Sequence, residues 1–330
     1  MIRSLSVRSE ILPLRTPFRI SRGVRTAAQV VTVALTQDGV TGRGEAVPYP
    51  RYGENAESAM LAIEAVRSGV EQGVGRQELL DLMPAGAARN AVDCGLWDLE
   101  MRLAGSDVAA ALGLDAPFQP IVTAMTVGLD TPDRMATAAA ALADAPLVKV
   151  KVDRSDPAGQ LMAVRRAAPK PRMIVDPNES WTIAEVRDLQ GLMTELRIDL
   201  LEQPLPADAD CELGGFLSAI PIAADESIHV AADLDRLPDG YAVVNIKLDK
   251  TGGLTAALDL ADAARARGFG VMTGCMICSS LSIAPAWAMA MQSDFADLDG
   301  PLWLAEDRAG GVRGANGYLA PPQSGFWGGL

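Results

Sequence analysis

RMIVDPNESW (172–181) decides the fold: a short apolar run closes on one acid, Asp176, and turn-forming residues follow. The pattern returns at RIDLLE (197–202) and IPIAAD (220–225), so Asp176, Glu202 and Asp225 stand 26 and 23 residues apart. Each run is followed by turn residues and then by a stretch with helical periodicity. A step of about 25 residues is what one strand, one helix and two short loops consume. The spacing therefore predicts successive strand–helix units, each strand ending in one carboxylate. In a closed parallel barrel the strand C-termini converge on the face that carries active sites. Three carboxylates from adjacent strands would meet there, offering the hard oxygen donors that suit Mg²⁺.

Lysines bracket the acids at the same pitch. Lys149 and Lys151 close PLVKVK (146–151), one unit before Asp176, and Lys247 closes YAVVNIK (241–247), one unit after Asp225. Strand alternation puts Lys149 and Lys151 on one face and the neighbouring valines on the other. Around a ring the order is lysine pair, acid, acid, acid, lysine. The lysines then stand on opposite sides of the acids, the geometry of a two-base proton transfer. Lys250, next in line, reads as a solvated strand end.

Composition narrows the classes. The 330 residues suit a barrel with a smaller attached domain. A net charge of −13 argues against nucleic acid or an anionic membrane as a partner. No apolar run is long enough to span a bilayer, and the N-terminus lacks a signal-peptide core. Four cysteines in this length are no disulfide framework, so a cytoplasmic location is expected. One histidine, His229, rules out a multi-histidine metal site and leaves lysines and carboxylates to carry acid–base work.

Residues 1–50 read as strands, with a turn at LPLRTPF (12–18), and 54–70, 76–82 and 85–104 read as helices, the last strongly periodic. From Ile121 the texture alternates, with strands placed near 121–127, 147–152, 172–176, 198–202, 220–225, 242–247, 269–273 and 294–298. The expected architecture is α/β: a modified TIM barrel over 116–305, with an α+β capping domain over 1–115 onto which the tail 306–330 returns.

Other motifs have plainer explanations. Cys275-Met-Ile-Cys278 lacks the further ligands that zinc requires and reads as lining of the seventh strand's end. Gly252-Gly253 before a helix could cradle a phosphate or simply form a tight turn. Gly39, Gly42 and Gly44 have the wrong spacing for a dinucleotide fingerprint. Leu96 and Trp97 read as core of an amphipathic helix. Asp297 and Asp299 present two acids on one face of the eighth strand, either a surface ion pair or a seat for a cationic substrate group.

Taken as a set, these stretches resemble the enolase superfamily, in its muconate-lactonizing-enzyme-like subgroup, and within it the dipeptide epimerases that act on L-Ala-D/L-Glu. The resemblance rests on LVKVKVD (147–153), IVDPNESW (174–181), LLEQPLP (200–206), ADES (224–227), NIKLDKTGGL (245–254), GCMIC (274–278) and DLDGP (297–301). PYPRYGE (48–54) and ARNAVDCGLWDL (88–99) add matches near the N-terminus. It implies a (β/α)7β barrel under a capping domain, one Mg²⁺ per subunit on Asp176, Glu202 and Asp225, and Lys151 and Lys247 as the acid/base pair. Lys149 would assist at the substrate carboxylate, and Asp297 and Asp299 would hold a dipeptide's ammonium. An arginine of the loop near residue 20 would meet the substrate side chain, most nearly Arg25, with Arg22 and Arg19 as rivals. The implied reaction is epimerisation of a small dipeptide, L-Ala-D-Glu or L-Ala-L-Glu, for murein peptide recycling. An N-acylamino acid racemase, an o-succinylbenzoate synthase and a non-catalytic barrel with an ion-pair ring stay open, as does a homo-oligomer.

Overall fold

The computed structural model describes residues 3–21, 23–114 and 118–329. Three antiparallel strands, β1 (Arg3–Ile20), β2 (Gly23–Gln37) and β3 (Val40–Ala46), form a sheet in that order. LPLRTPF is not a turn: β1 runs through it, with a register shift between Pro13 and Phe18. β1 is the edge strand, where the missing N–H of Pro13 and Pro17 costs no ladder bond. Helices α1 (Ala56–Glu71), α2 (Arg76–Leu82) and α3 (Ala87–Ala104) cover one face around Val31, Val33, Leu35, Ile63 and Leu96. Gly44 lets α3 approach β3, since a Cβ there would lie 2.0 Å from Ala91 O. That close packing, not nucleotide binding, accounts for the glycines of β3.

α3 is not amphipathic in the sense expected. Arg89, Asn90, Asp93 and Asp98 are as buried as Leu96 and Trp97, because the helix is enclosed by the small sheet and by the second layer. Its polar side chains serve as ties to that layer.

The second layer begins with β4 (Ile121–Val122), which pairs antiparallel with β14 (Tyr318–Ala320), itself paired with β13 (Arg313–Ala315). The strand expected over 121–127 is thus two. Eight parallel strands follow in chain order: β5 (Met125–Val127), β6 (Leu147–Lys151), β7 (Arg172–Asp176), β8 (Leu200–Glu202), β9 (Ile222–Ala224), β10 (Val243–Ile246), β11 (Gly270–Gly274) and β12 (Phe295–Asp297). Ala124 N donates to Ala296 O at 2.8 Å, and Leu298 N to Thr123 Oγ1 at 2.8 Å, which joins last strand to first. The result is the modified TIM barrel, capped by the N-terminal α+β layer. After β8 and β9 only 3₁₀ turns form, Ala207–Leu213 and Ala231–Asp235, rather than the expected helices. Pro204, Pro206 and Gly214-Gly215 break the first of these stretches, and Pro238 with Gly240 the second.

Alternation sorts the barrel interior into layers. Ala124, Leu147, Ile174, Leu200, Ala223, Val243, Met272 and Phe295 make a compact apolar plug. Two residues further along each chain come Thr126, Lys149, Asp176, Glu202, Asp225, Asn245, Gly274 and Asp297, on the same face. Val148, Val150 and Val175 point outward into the main core with the helices. So the apolar plug lies beneath a polar ring. The tail crosses back over this assembly: Trp327 Nε1 donates to Arg43 O at 3.0 Å, and Gly328 N to Asp98 Oδ1 at 2.7 Å.

Candidate active site

The polar ring floors a cleft of about 780 Å³, open solvent included, walled by Lys151, Lys247, Asp299, Met276, Trp303 and, from the cap, Phe18, Ile20, Arg25 and Tyr49. β6 and β10 are four places apart in an eight-strand ring, so Lys151 and Lys247 face each other across it. Lys151 Nζ lies 2.5 Å from Asp176 Oδ2, and Lys247 Nζ lies 2.7 Å from Asp225 Oδ2. Lys149 stands at the centre: its Nζ is 3.0 Å from Asp176 Oδ2, hydrogen bonds Glu202 Oε1 at 2.8 Å and donates to Asp297 Oδ2 at 2.8 Å. Glu202 Oε2 is also only 2.7 Å from that ammonium, yet at an angle that makes no hydrogen bond. Gly274 leaves room in the ring, since a Cβ there would meet Asn245 Oδ1 at 2.7 Å and Lys247 Cε at 3.0 Å.

Burial sets the electrostatics. It pushes Glu202 up to about 8, with Asp176 adding to the rise. Burial also opposes ionisation of Asp176 and Asp225, but the lysine ammoniums win and hold both below the usual carboxylate range. Desolvation works against Lys149 as well, and Asp297, Glu202 and Asp176 together keep it well above the usual lysine range. Lys247 is raised by Asp225 against the same penalty. Asp299 is pushed up to about 6 by burial and then by Asp297, while accepting from Thr126 N at 2.9 Å and Trp303 Nε1 at 3.2 Å.

Among the described residues no three His, Cys, Asp or Glu side chains already close around a common point, because ammoniums stand between the acids. The donors nevertheless fit Mg²⁺. They are hard oxygens on three adjacent strands, and Glu202 Oε2 is buried with no hydrogen-bond partner. Asp176, Glu202 and Asp225 are the residues that could hold the ion.

Several sequence expectations need correction. Lys250 is not solvated: it is 1% exposed, and a one-turn helix at Leu248–Thr251 carries its Nζ to within 2.6 Å of Asp225 Oδ1. Asp297 and Asp299 are no surface pair, being 6% and 7% exposed. The Gly252-Gly253 turn offers no phosphate cradle, since Asp93 accepts from Thr255 N at 3.1 Å and Oγ1 at 2.6 Å. Cys275 lines the cleft as expected, and Cys278 is buried beside it. Of the loop arginines, Arg25 walls the cleft with its guanidinium 4.6 Å from the centre of the Tyr49 ring. Arg19 is exposed, and Arg22 lies outside the described residues. Asn178 and Asn245 were missed. The signal available was position, since Asn245 occupies an inward register between Val243 and Lys247.

Two family models match this chain: "Mandelate racemase / muconate lactonizing enzyme, N-terminal domain" over residues 2–113 and "Enolase C-terminal domain-like" over 134–326. The chain is 48% identical over 308 residues to the L-Ala-D/L-Glu epimerase of Escherichia coli (strain K12), covering 93% of this chain and 96% of that one. It is 42% identical to an N-acetyl-D-glutamate racemase of Pseudoalteromonas sp, covering 91% and 95%. Among solved structures it resembles an enolase family member from Agrobacterium tumefaciens with homology to dipeptide epimerases, bound to sodium and L-Ala-L-Glu. That match has TM-score 0.96 and 47% identity over 99% of this chain and 100% of that one. It also resembles a dipeptide epimerase from Methylococcus capsulatus complexed with Mg and L-Arg-D-Lys, with TM-score 0.88 and 32% identity over 98% of both. With the barrel, its cap and the opposed lysines in view, the chain belongs to the mandelate racemase / muconate lactonizing enzyme family of the enolase superfamily.

Proposed function

We propose that the protein is a Mg²⁺-dependent dipeptide epimerase, an isomerase that inverts the α-carbon of a dipeptide's C-terminal residue, with L-Ala-D-Glu and L-Ala-L-Glu as the interconverting pair. The observation that carries this reading is the pair Lys151 and Lys247, opposed across a ring whose floor is anionic. An α-proton next to a carboxylate is hard to remove because charge accumulates on that carboxylate. Bound by Asp176, Glu202 and Asp225, Mg²⁺ would supply positive charge to the substrate carboxylate. Lys149, cationic and fully enclosed, adds a second positive charge and a hydrogen-bond donor. One opposed lysine takes the proton from one face while the other, protonated, returns one to the opposite face, and the centre inverts. Lys247, raised by Asp225, suits the proton-bearing partner.

Asp297 and Asp299 serve as the seat for the free ammonium. Asp297 Oδ1 is buried without a hydrogen-bond partner among the described residues, and Asp299 sits beside it. Arg25 lies at the cap side of the cleft, where a glutamate side chain would end. Recycling of murein peptides in the cytoplasm is the setting that fits this substrate. The described residues include no helix long and apolar enough to cross a membrane.

A second reading is racemisation of an N-acylated glutamate. It is favoured by the similarity to the N-acetyl-D-glutamate racemase and by Lys149 already holding Asp297 Oδ2. Incubating the protein with MgCl₂ in D₂O separates the two, using L-Ala-D-Glu, its N-acetyl derivative and N-acetyl-D-glutamate. Chiral chromatography and loss of the α-proton NMR signal report inversion and exchange. The free dipeptide should exceed both acetylated compounds in kcat/KM by about 100-fold, as expected when a buried charge pair is lost. Equal turnover of the acetylated compounds would remove the ammonium seat from the proposal.

A further inference from the structure

Resting on the Mg²⁺ reading above, we infer that Asn178, Asn245 and Lys250 form an outer set that leaves each metal-facing carboxylate one oxygen to give. The set thereby tunes the site toward six-coordinate Mg²⁺ and away from Ca²⁺. Asp176 Oδ1 accepts from Asn178 N at 2.8 Å, Glu202 Oε1 from Asn245 Nδ2 at 2.9 Å, and Asp225 Oδ1 from Lys250 Nζ at 2.6 Å. The three donors are 6%, 0% and 1% exposed.

These donors differ in kind from the lysines on the other oxygens. Lys151 and Lys247 wall the cleft and hold Asp176 Oδ2 and Asp225 Oδ2 by flexible four-carbon arms that can withdraw when a cation enters, and the Asn178 side-chain amide and Lys149, 3.1 Å and 3.0 Å from Asp176 Oδ2, must yield with them. Glu202 Oε2 has only its ion pair with Lys149, 2.7 Å away, to exchange for a metal ion. The outer donors have nowhere to go. Asn178 presents a backbone N–H from a turn in which it and Glu179 are both left-handed, at φ 48° and 64°. Asn245 stands in the ring itself. Lys250 Nζ also donates to Asn245 O at 2.9 Å and to the Asp225 carbonyl, so all three of its protons are used. Lys250 thus ties β9 to β10 and fixes the Asp225 carboxylate in one rotation.

Denticity is the property this controls. Ca²⁺ takes six to eight oxygens and readily uses both oxygens of one carboxylate, whereas Mg²⁺ keeps a tight octahedron with one oxygen from each. With Asp176 Oδ1, Glu202 Oε1 and Asp225 Oδ1 each held by a fixed donor, turning a second oxygen to the metal would weaken a hydrogen bond, which favours one oxygen from each carboxylate.

The test is calorimetric titration of the metal-free protein with MgCl₂ alone and with CaCl₂ alone, for wild type, Lys250→Met and Asn245→Ala. Removing the Lys250 charge helps both ions alike, so the ratio of the two dissociation constants isolates denticity. In each variant Ca²⁺ should gain on Mg²⁺ by about tenfold, the lower end for loss of an outer-shell partner. A ratio within about twofold of wild type in both variants would overturn the inference. Should Lys250→Met fail to fold, Asn245→Ala and a wild-type crystal grown with Mn²⁺ decide it. One oxygen from each carboxylate supports the inference, and a bidentate carboxylate overturns it. No binding of either ion by the folded wild type would overturn the Mg²⁺ reading itself.

Discussion

Two regions of this molecule bury many charges, and they treat them differently. At the seam between cap and barrel each charged group has a dedicated partner. Glu45 accepts from Ser279 N at 2.8 Å, Ser279 Oγ at 2.5 Å and Arg308 Nη2 at 2.6 Å. Asp249 Oδ1 accepts from Val47 N and Asn90 Nδ2, both at 2.8 Å, and Arg89 donates to the carbonyls of Thr251 and Gly252. At the barrel mouth, four ammoniums and four carboxylates share one another, and oxygens of Glu202 and Asp297 are left without hydrogen bonds among the described residues. A fully partnered buried charge holds two layers together. A crowded, incompletely partnered cluster is poised to accept something else.

The contrast breaks first, if it breaks, at Glu202. Glu202→Gln should lower kcat by about 10³-fold or more, since it removes a donor for the charge that assists proton abstraction. It should not lower the melting temperature of the metal-free protein at pH 9. There the wild type is burdened with an ionised acid whose proton burial favours up to about pH 8. A large loss of stability would make the mouth cluster a structural one.

The lysines sharpen the functional side. Lys151→Ala and Lys247→Ala should each abolish net inversion, because it requires both a base and an opposed acid. The family resemblance implies that Lys151 serves the D-configured centre and Lys247 the L-configured one, so each variant should keep deuterium exchange into one epimer only, Lys247→Ala into L-Ala-D-Glu and Lys151→Ala into L-Ala-L-Glu. Exchange into both epimers by either variant would mean one mobile base.

At the seam the expected signs reverse. Glu45→Ala leaves Arg308 only Glu10, 3.0 Å away, as an acidic partner among the described residues and strips Ser279 N and Oγ of their acceptor, and should cost about 3 kcal/mol, read as a fall in denaturant midpoint. The fraction that stays folded should retain its kcat. The smallest effect is at Asp249, pushed up to about 7 by burial. Between its ordinary value and pH 7 the folded state holds a proton that the unfolded state has released. Its contribution therefore falls as pH rises across that window and is constant above it. Asp249→Asn should remove roughly 2 kcal/mol of the fall in stability between pH 5 and pH 8, measured by unfolding at both.

Much of the barrel was legible because two periods coincide in the chain. The 25-residue step predicts the units, and the strand ends predict that the lysines, Asp176, Glu202 and Asp225 meet at one mouth, whereas the place of Asp297 in the same ring came from the structure. The turn expected at LPLRTPF failed because proline punctuates most positions but is harmless on an edge strand. The helices expected after Glu202 and Asp225 failed because a periodic pattern cannot outweigh prolines and glycines in stretches that short. α3 misled because a helix enclosed on all sides keeps its polar residues for contacts that local pattern does not display.

The sequence by itself determined the strand–helix repeat, the inward faces, and so the ring of acids bracketed by lysines. These depend on spacings within single strands and between neighbours. Only the tertiary structure decided the rest. It turned Lys250 from an apparent surface lysine into the clamp on Asp225, tied Asp297 to Lys149 across 148 residues, and brought Arg25 of the cap to the wall of the cleft. Each of those outcomes depends on ring closure or on the seating of one layer on another. A side chain's neighbours across such a junction are set by packing, for which no local period exists.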